Sequence, residues 1–170
     1  MMIYLQMIDT PEDRSKFEQI YTKYRDLMFY IANKILNNEQ DAEDVVHEAF
    51  LKVAEHIEKI GNPECPKTKS FVVIVVENKA IDLYRKRSRH PNVELNDEIQ
   101  SESVTYECEN ILAECIMKLP ARYREVILLH YHHGYSRKEI AKILGLSYGA
   151  TSQLELRAKK RLMELYKREG

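Results

Sequence analysis

A run of cations near the end of the chain has the chemistry to bind nucleic-acid phosphate. It comprises Arg157, Lys159, Lys160 and Arg161. Each Lys or Arg that contacts a phosphate releases a condensed counterion, which favours binding. Polar side chains that can hydrogen-bond to base edges come just before, because an amide can pair with adenine and a hydroxyl can contact thymine. These candidate base readers are Ser147, Tyr148, Ser152 and Gln153. Together, the two sets indicate a DNA-binding surface.

The elements that must position these side chains have the spacing of a helix-turn-helix. Ser136 and Glu139 have the capping-box spacing, which predicts a helix that begins there. Gly145 supplies the left-handed residue that ends this helix, and Ser147 is placed to cap the next one. Two short helices joined by such a turn can place the second in a DNA major groove. An ordinary corner between two bundle helices is the alternative, but the cations that follow favour DNA binding.

The other reactive residue types do not form a recognisable catalytic or metal site. His47 and Glu48 lack the second His of a zinc-protease HExxH motif, because residue 51 is Leu. Neither a Gly-rich phosphate loop nor a nucleophile elbow is present. A zinc site that joins Cys108 and Cys115 to the nearby histidines is less favoured, since buried Cys usually packs as a small hydrophobe. We therefore expect no enzyme activity, no cofactor and no metal, and we expect the cysteines to be reduced thiols.

Composition and charge predict an all-α protein of two small domains. The chain of 170 residues has only 5 Gly and 5 Pro, which leaves few turns for a β-protein. Residues 88–104 carry 4 acids against 1 cation, whereas residues 105–170 have a net charge of +4. We expect helical domains at 1–87 and 105–170, joined by a flexible acidic linker at 88–104. The basic domain is the one that contains the helix-turn-helix.

Nothing in the sequence predicts a membrane span or a secretory signal. No run of about 18 apolar residues occurs, and residues 1–10 lack a basic region before their apolar residues. We therefore expect the protein to be cytoplasmic.

The N-terminal domain has the periodicity of a three-to-four-helix bundle. Thr10 and Pro11 form a helix-start signal, and apolar residues then recur at intervals of three and four as far as Ile35. A second apolar stripe runs from Val45 to Ile60. The segment that begins at Phe71 is rich in β-branched residues and could be a buried strand. We predict a helix, because its continuation lacks a strand period and the chain offers no partner strand.

These motifs resemble the two domains of a known protein family. The segment from Asp41 to Leu51 is similar to the core-binding helix of bacterial sigma factors of the extracytoplasmic-function group, a branch of the sigma-70 family, with His47 in place of the usual Gln. The segment from Lys69 to Arg85 is similar to the promoter-melting helix, with Phe71 in place of the usual Trp. In the C-terminal domain, the segments 119–126, 134–136, 139–141 and 145–147 are similar to those of the family. The resemblance implies a sigma factor that binds core RNA polymerase and directs promoter-specific initiation.

The resemblance also implies which residues bind each partner. A first surface docks on the β′ clamp coiled coil of core RNA polymerase and contains Asp41, Glu43, Asp44, Val46, His47 and Phe50. A second binds and melts the minus-ten element of promoter DNA and contains Asn62, Glu64, Lys69, Asn78, Lys79, Asp82, Arg85, Lys86 and Arg87. A third reads the minus-thirty-five element and contains Arg137, Ser147, Tyr148, Ser152, Gln153, Arg157, Lys159 and Lys160. The polymerase β flap is a further implied partner, and the sequence leaves open whether an anti-sigma factor is another.

The recognition helix departs from the family pattern. Two cations that would meet the minus-thirty-five element are absent, and Glu155 stands where the family packs a Leu. We therefore expect Leu154 to take the core position, together with Ala158, Leu162 and Leu165, and we expect weak discrimination between upstream sequences. This departure keeps two alternatives open, which are a polymerase-binding regulator with weak promoter reading and a stand-alone helix-turn-helix regulator. The second would normally dimerise, and the sequence contains nothing that resembles a dimerisation domain.

Overall fold

The computed structural model describes residues 1–88 and 110–169. The chain divides into two compact units, Met1–Pro91 and Asn92–Gly170. Within the described residues the secondary structure is helical and contains no strand, which confirms the predicted all-α fold. Almost all of the predicted acidic linker lies outside the described residues. No helix in the described part of the chain has the length and apolarity needed to cross a membrane.

The first unit packs three long helices around an apolar core. Its elements are α1 (Met2–Leu5), α2 (Pro11–Leu36), α3 (Glu39–Glu55), a 3₁₀ turn (Ile57–Lys59) and α4 (Pro66–Arg87). Helices α2, α3 and α4 contact one another pairwise. Phe17 of α2 and Phe50 of α3 are both 0% exposed, and their rings meet edge to face at 6.0 Å. The β-branched run that begins at Phe71 lies within α4, so the helix prediction is confirmed.

Side-chain caps fix where α2 and α3 begin. Thr10 Oγ1 accepts a hydrogen bond from the backbone N–H of Asp13 at 3.1 Å, with Pro11 in the first turn as predicted. Asn37 ends α2 in the left-handed region at φ 50°, and Asn38 Oδ1 then caps α3 at 3.0 Å. The two adjacent asparagines therefore turn the chain so that α3 folds back against α2.

The second unit contains the helix-turn-helix. Its elements are α5 (Ile111–Met117), α6 (Ala121–Ile127), a π-helix (Leu128–His132), α7 (Arg137–Leu144) and α8 (Tyr148–Glu169). Both halves of the predicted capping box are present, since the backbone N–H of Ser136 donates to Glu139 Oε2 at 2.8 Å and that of Glu139 to Ser136 Oγ at 3.3 Å. Gly145 ends α7 at φ 67°, and Ser147 Oγ caps α8. These contacts fix where α7 begins and ends and where α8 begins, as the spacing predicted.

Candidate functional site

Helix α3 presents an acidic face. Glu43, Asp44 and His47 are exposed on one side of the helix, opposite its buried apolar stripe. Glu43 forms an ion pair with Arg25 of α2 at 3.4 Å. Asp44 makes only a long contact of 3.5 Å with the amide of Gln40, and it has no ion pair within residues 1–88 and 110–169. Asp44 is therefore available to a cation on a partner protein.

The other three residues predicted on this surface lie inside the unit. Phe50 is 0% exposed, Val46 4% and Asp41 5%. Asp41 forms an ion pair with Arg87, which joins α3 to α4. These side chains pack within the unit and stabilise α3 in the free chain, and their contact with the polymerase stays a prediction. Their positions follow from helical spacing, since Ala42, Val46, Phe50 and Val53 share the inward face.

A contact that the sequence did not indicate ties the N-terminus to this surface. Tyr4 Oη lies 2.5 Å from His47 Nδ1, within hydrogen-bond distance. The Tyr4 ring is 5% exposed and packs against Phe17 at 5.3 Å and Phe50 at 5.9 Å between centroids. Burial raises the pKa of Tyr4, and the neighbouring Tyr21 raises it further. No local pattern predicts this contact, because His47 and Tyr4 are 43 residues apart.

Three side chains of α2 hold the segment that joins α3 to α4. Lys16 Nζ donates to the carbonyls of Ile57 at 3.0 Å and Ile60 at 2.9 Å. Tyr24 Oη donates to the carbonyl of Pro63 at 2.6 Å in a buried contact, and Lys23 pairs with Glu64. The segment therefore has a defined shape, although no motif in the sequence indicates a role for these α2 residues.

The same segment borders an open groove. The groove has a volume of about 410 Å³ and is lined by Ser15, Glu18, Gln19, Thr22, Lys23 and Glu64. Asn62 and Glu64 are exposed, and Asn62 Oδ1 accepts from the backbone N–H of Glu64 at 2.9 Å. Hydroxyl, amide and ammonium groups in such a groove can hydrogen-bond to a base or a phosphate.

The candidate DNA contacts of α4 differ in how accessible they are. Asn78 is 1% exposed and its Oδ1 has no hydrogen-bond partner among the described residues, so a base could reach this amide only after its neighbours move. Lys79 pairs with Glu48 at 3.7 Å, and Arg87 pairs with Asp41. Asp82 and Arg85 are half-buried. Lys86 is exposed and Lys69 half-buried, and neither has an ion pair within residues 1–88 and 110–169. These two lysines are therefore the most available phosphate ligands of α4.

Glu155 occupies the core position of α8. Glu155 is only 1% exposed. Its carboxylate accepts hydrogen bonds from Arg137 Nε at 2.6 Å, Tyr131 Oη at 3.3 Å and Lys159 Nζ at 3.0 Å. Burial alone would raise the pKa of Glu155, but the hydrogen bonds from Arg137 and Lys159 outweigh it and hold the pKa at about 2. The expectation that Leu154 fills this position is wrong, because Leu154 is only half-buried while the paired carboxylate lies inside.

Glu155 also changes which cations of this unit are available to DNA. Arg137 and Lys159 were both predicted to bind the minus-thirty-five element, yet both are paired with one buried carboxylate. Arg157 and Lys160 are exposed and have no ion pair in the described part of the chain. Among the candidate base readers, Ser147, Tyr148 and Gln153 are exposed and Ser152 is half-buried, so all four remain accessible. The surface that can meet DNA is therefore less basic than the sequence suggests.

The described residues contain no group of three His, Cys, Asp or Glu side chains placed to hold a metal ion. Cys65 and Cys115 are free thiols, and Cys108 lies outside the described residues. The histidines at 130, 132 and 133 instead take part in contacts with aromatic rings.

Comparison with known proteins assigns both units. Residues 20–90 match the family model of sigma-70 region 2, and residues 109–162 match that of sigma-70 region 4. The chain belongs to the sigma-70 family. Members of this family are transcription initiation factors rather than enzymes.

Its relatives include sigma factors of the extracytoplasmic-function group. The chain is 27% identical to the RNA polymerase sigma factor SigZ of Bacillus subtilis over 146 residues, which is 84% of this chain and 81% of SigZ. It is also 27% identical to the extracytoplasmic-function sigma factor SigW of the same organism over 156 residues, or 81% of each chain. A solved structure of CnrH in complex with the cytosolic domain of CnrY is 24% identical, covers 99% of this chain and 97% of CnrH, and has a TM-score of 0.40.

The sigma-70 matches place the candidate surfaces in two regions. Helix α3, the segment after it and α4 lie within the region 2 match, whereas α7 and most of α8 lie within the region 4 match. Helix α1 with Tyr4 precedes the region 2 match, which begins at residue 20. His47 therefore lies within the region 2 match, whereas its contact partner Tyr4 lies before it.

Proposed function

We propose that this sigma factor acts in the cytoplasm through three surfaces, which are the acidic face of α3, the segment 61–65 with α4, and the exposed side of α8. The first docks on the β′ clamp coiled coil of core RNA polymerase, and the other two bind promoter DNA. The observation that carries this assignment is that Glu43, Asp44 and His47 stay exposed on the helix that matches sigma-70 region 2.

Docking begins with charge attraction between α3 and a basic surface of the polymerase. Complementary charges increase the rate of encounter and fix the orientation of the complex. Asp44 forms no ion pair among the described residues, so no ion pair of Asp44 has to break when the polymerase binds. Asp41, Val46 and Phe50 contribute by keeping α3 rigid and correctly oriented, which lowers the entropy lost on binding.

Promoter opening uses the segment that Lys16, Lys23 and Tyr24 hold in place. Taking a base out of the DNA stack costs a few kcal/mol and requires a site that receives it. The groove next to Glu64 offers polar groups for this purpose, and Asn62 lies exposed nearby. Lys69 and Lys86 then bind phosphates, joined by Lys79, Arg85 and Arg87 once DNA competes for their present contacts.

Upstream contact uses the exposed side of α8. Gln153 and Tyr148 are placed to read bases, whereas Arg157 and Lys160 bind phosphate. Because Glu155 neutralises Arg137 and Lys159, the energy from phosphate contacts is smaller than a count of cations suggests. This observation also favours the second candidate function, a polymerase-binding regulator that reads promoters weakly.

Binding and transcription assays distinguish these functions. A folded Asp44→Arg variant should lose affinity for core RNA polymerase, whereas Asp26→Arg should not, since Asp26 is fully exposed on the side of α2 away from the core. A stand-alone regulator would bind DNA and would not retain core polymerase in a pull-down. A regulator with weak promoter reading would retain the polymerase without initiating transcripts at defined start sites.

A further inference from the structure

Three N-terminal residues in and just after α1 expose large apolar side chains, and α1 contacts α3. Met2 is 78% exposed, Ile3 63% and Met7 45%, whereas Tyr4 between them is 5% exposed. Large apolar side chains grouped in this way often mark a protein-binding surface. We call Met2, Ile3 and Met7 the N-terminal apolar surface.

The position of this surface is set by Tyr4. The Tyr4 ring packs on Phe17, Tyr21 and Phe50 at centroid distances of 5.3, 6.0 and 5.9 Å, and its hydroxyl contacts His47. Two of these partners, Phe50 and His47, belong to α3. The N-terminal apolar surface is therefore anchored to the helix that carries the docking face.

The same anchor places acidic side chains nearby. The His47 ring lies 5.3 Å from the Tyr4 ring between centroids, and Glu43 pairs with Arg25 of α2 at 3.4 Å. Glu43 and His47 are four residues apart on α3, on one side of the helix. Apolar groups bordered by acids suit a partner surface that is basic at its rim and apolar at its centre.

We infer that the N-terminal apolar surface extends the docking face of α3 and contacts the β′ clamp coiled coil of core RNA polymerase together with Glu43 and Asp44. The inference rests on the proposed function, which makes this coiled coil the partner of α3. Charges on α3 guide the encounter, and burial of Met2, Ile3 and Met7 slows dissociation, because flexible thioether side chains fit irregular apolar surfaces. His47, which replaces the usual Gln of the family, then acts as the residue that fixes α1 through Tyr4.

The test measures affinity for core RNA polymerase with the full chain and matched variants. Met2→Ser and Ile3→Ser are combined, because both side chains are exposed and their removal leaves the core unchanged. The matched control is Tyr30→Ser, which removes a side chain that is 55% exposed on α2. We expect the double variant to bind about tenfold more weakly, and the control to bind within about twofold of the parent chain.

Two results would overturn the inference. Unchanged affinity of the double variant, with clear loss in Asp44→Arg, would remove the N-terminal apolar surface from the interface and leave the proposed function intact. Tighter binding of the double variant would show that α1 obstructs the docking face. Unchanged affinity of Asp44→Arg would instead overturn the docking face of α3, so the two failures are distinguishable.

Discussion

Arg137 Nε lies 2.6 Å from Glu155 Oε2, and the carboxylate is buried at the centre of the helix-turn-helix. This ion pair joins α7 to α8 at the position where the family packs a Leu. Such a pair is costly to break on one side, because a buried charge is then left without a partner. It therefore fixes α8 against α7 and leaves Arg137 paired with a buried carboxylate.

The first prediction concerns the salt dependence of DNA binding. Glu155→Gln should release Arg137 and Lys159 for phosphate, so the slope of log affinity against log salt should steepen by about 0.9 for each new phosphate contact. Glu169→Gln is the matched control, because it removes the same charge from the same helix and releases only Lys118, which is outside the candidate DNA surface. Equal slopes for the two variants would contradict the idea that Glu155 withholds these cations.

The second prediction concerns acid stability. Because the folded pKa of Glu155 is about 2 and its ordinary value is 4.5, its ionised form favours the folded state. This contribution to the free energy of unfolding is fully present above about pH 4.5 and is lost as the pH falls towards 2. Denaturant unfolding across this range should show a shallower decline in Glu155→Gln than in the parent chain. Parallel declines would mean that the carboxylate is not paired in solution.

Helix boundaries could be predicted from the sequence, whereas the partners of Glu155 could not. The capping box of Ser136 and Glu139 and the left-handed Gly145 act within a few residues, so their spacing alone indicates where α7 begins and ends. Glu155 and Arg137 are 18 residues apart, and their pairing depends on how α7 packs against α8. Hydrophobic periodicity assigns apolar residues to the core, so it favours Leu154. It gives no signal for a buried carboxylate that is neutralised by cations distant in sequence.

The candidate docking residues show the same limit in another form. The family motif contains Asp41, Val46 and Phe50 together with Asp44, but it does not indicate which face of α3 each residue occupies. Helical spacing separates them once the core is known, since Phe50 and Val46 lie on the inward stripe. The contact of His47 with Tyr4 is beyond any local pattern, as α1 has no cap and only 4 residues.

The third prediction is that Phe50 matters for stability rather than for direct contact. Phe50→Ala should lower the free energy of unfolding by about 3–5 kcal/mol, because it leaves a cavity where a fully buried ring packed. Tyr30→Ala, which truncates an exposed ring in the same unit, should change it by about 0.5 kcal/mol or less. Chemical denaturation followed by circular dichroism measures both values. If Phe50→Ala lowers the free energy of unfolding by only about 1 kcal/mol or less, the ring is not in the core, because truncating a buried Phe costs more than this.

The fourth prediction concerns the segment between α3 and α4. Tyr24→Phe keeps the ring but leaves the buried carbonyl of Pro63 without its donor, a loss of about 1–3 kcal/mol that should loosen this segment. Promoter opening, measured by permanganate reactivity of unpaired thymines, should decrease while affinity for core polymerase stays unchanged. The exposed Tyr30→Phe serves as the comparison. Normal opening by Tyr24→Phe would show that this anchor has no part in melting.

The most direct test of the proposed function is runoff transcription with purified core RNA polymerase on genomic DNA fragments. We expect transcripts with defined start sites that require the chain, weaken with Asp44→Arg and persist with Asp26→Arg. Retention of core polymerase without any transcript above the level of core enzyme alone would contradict promoter-specific initiation, and would identify a polymerase-binding regulator instead.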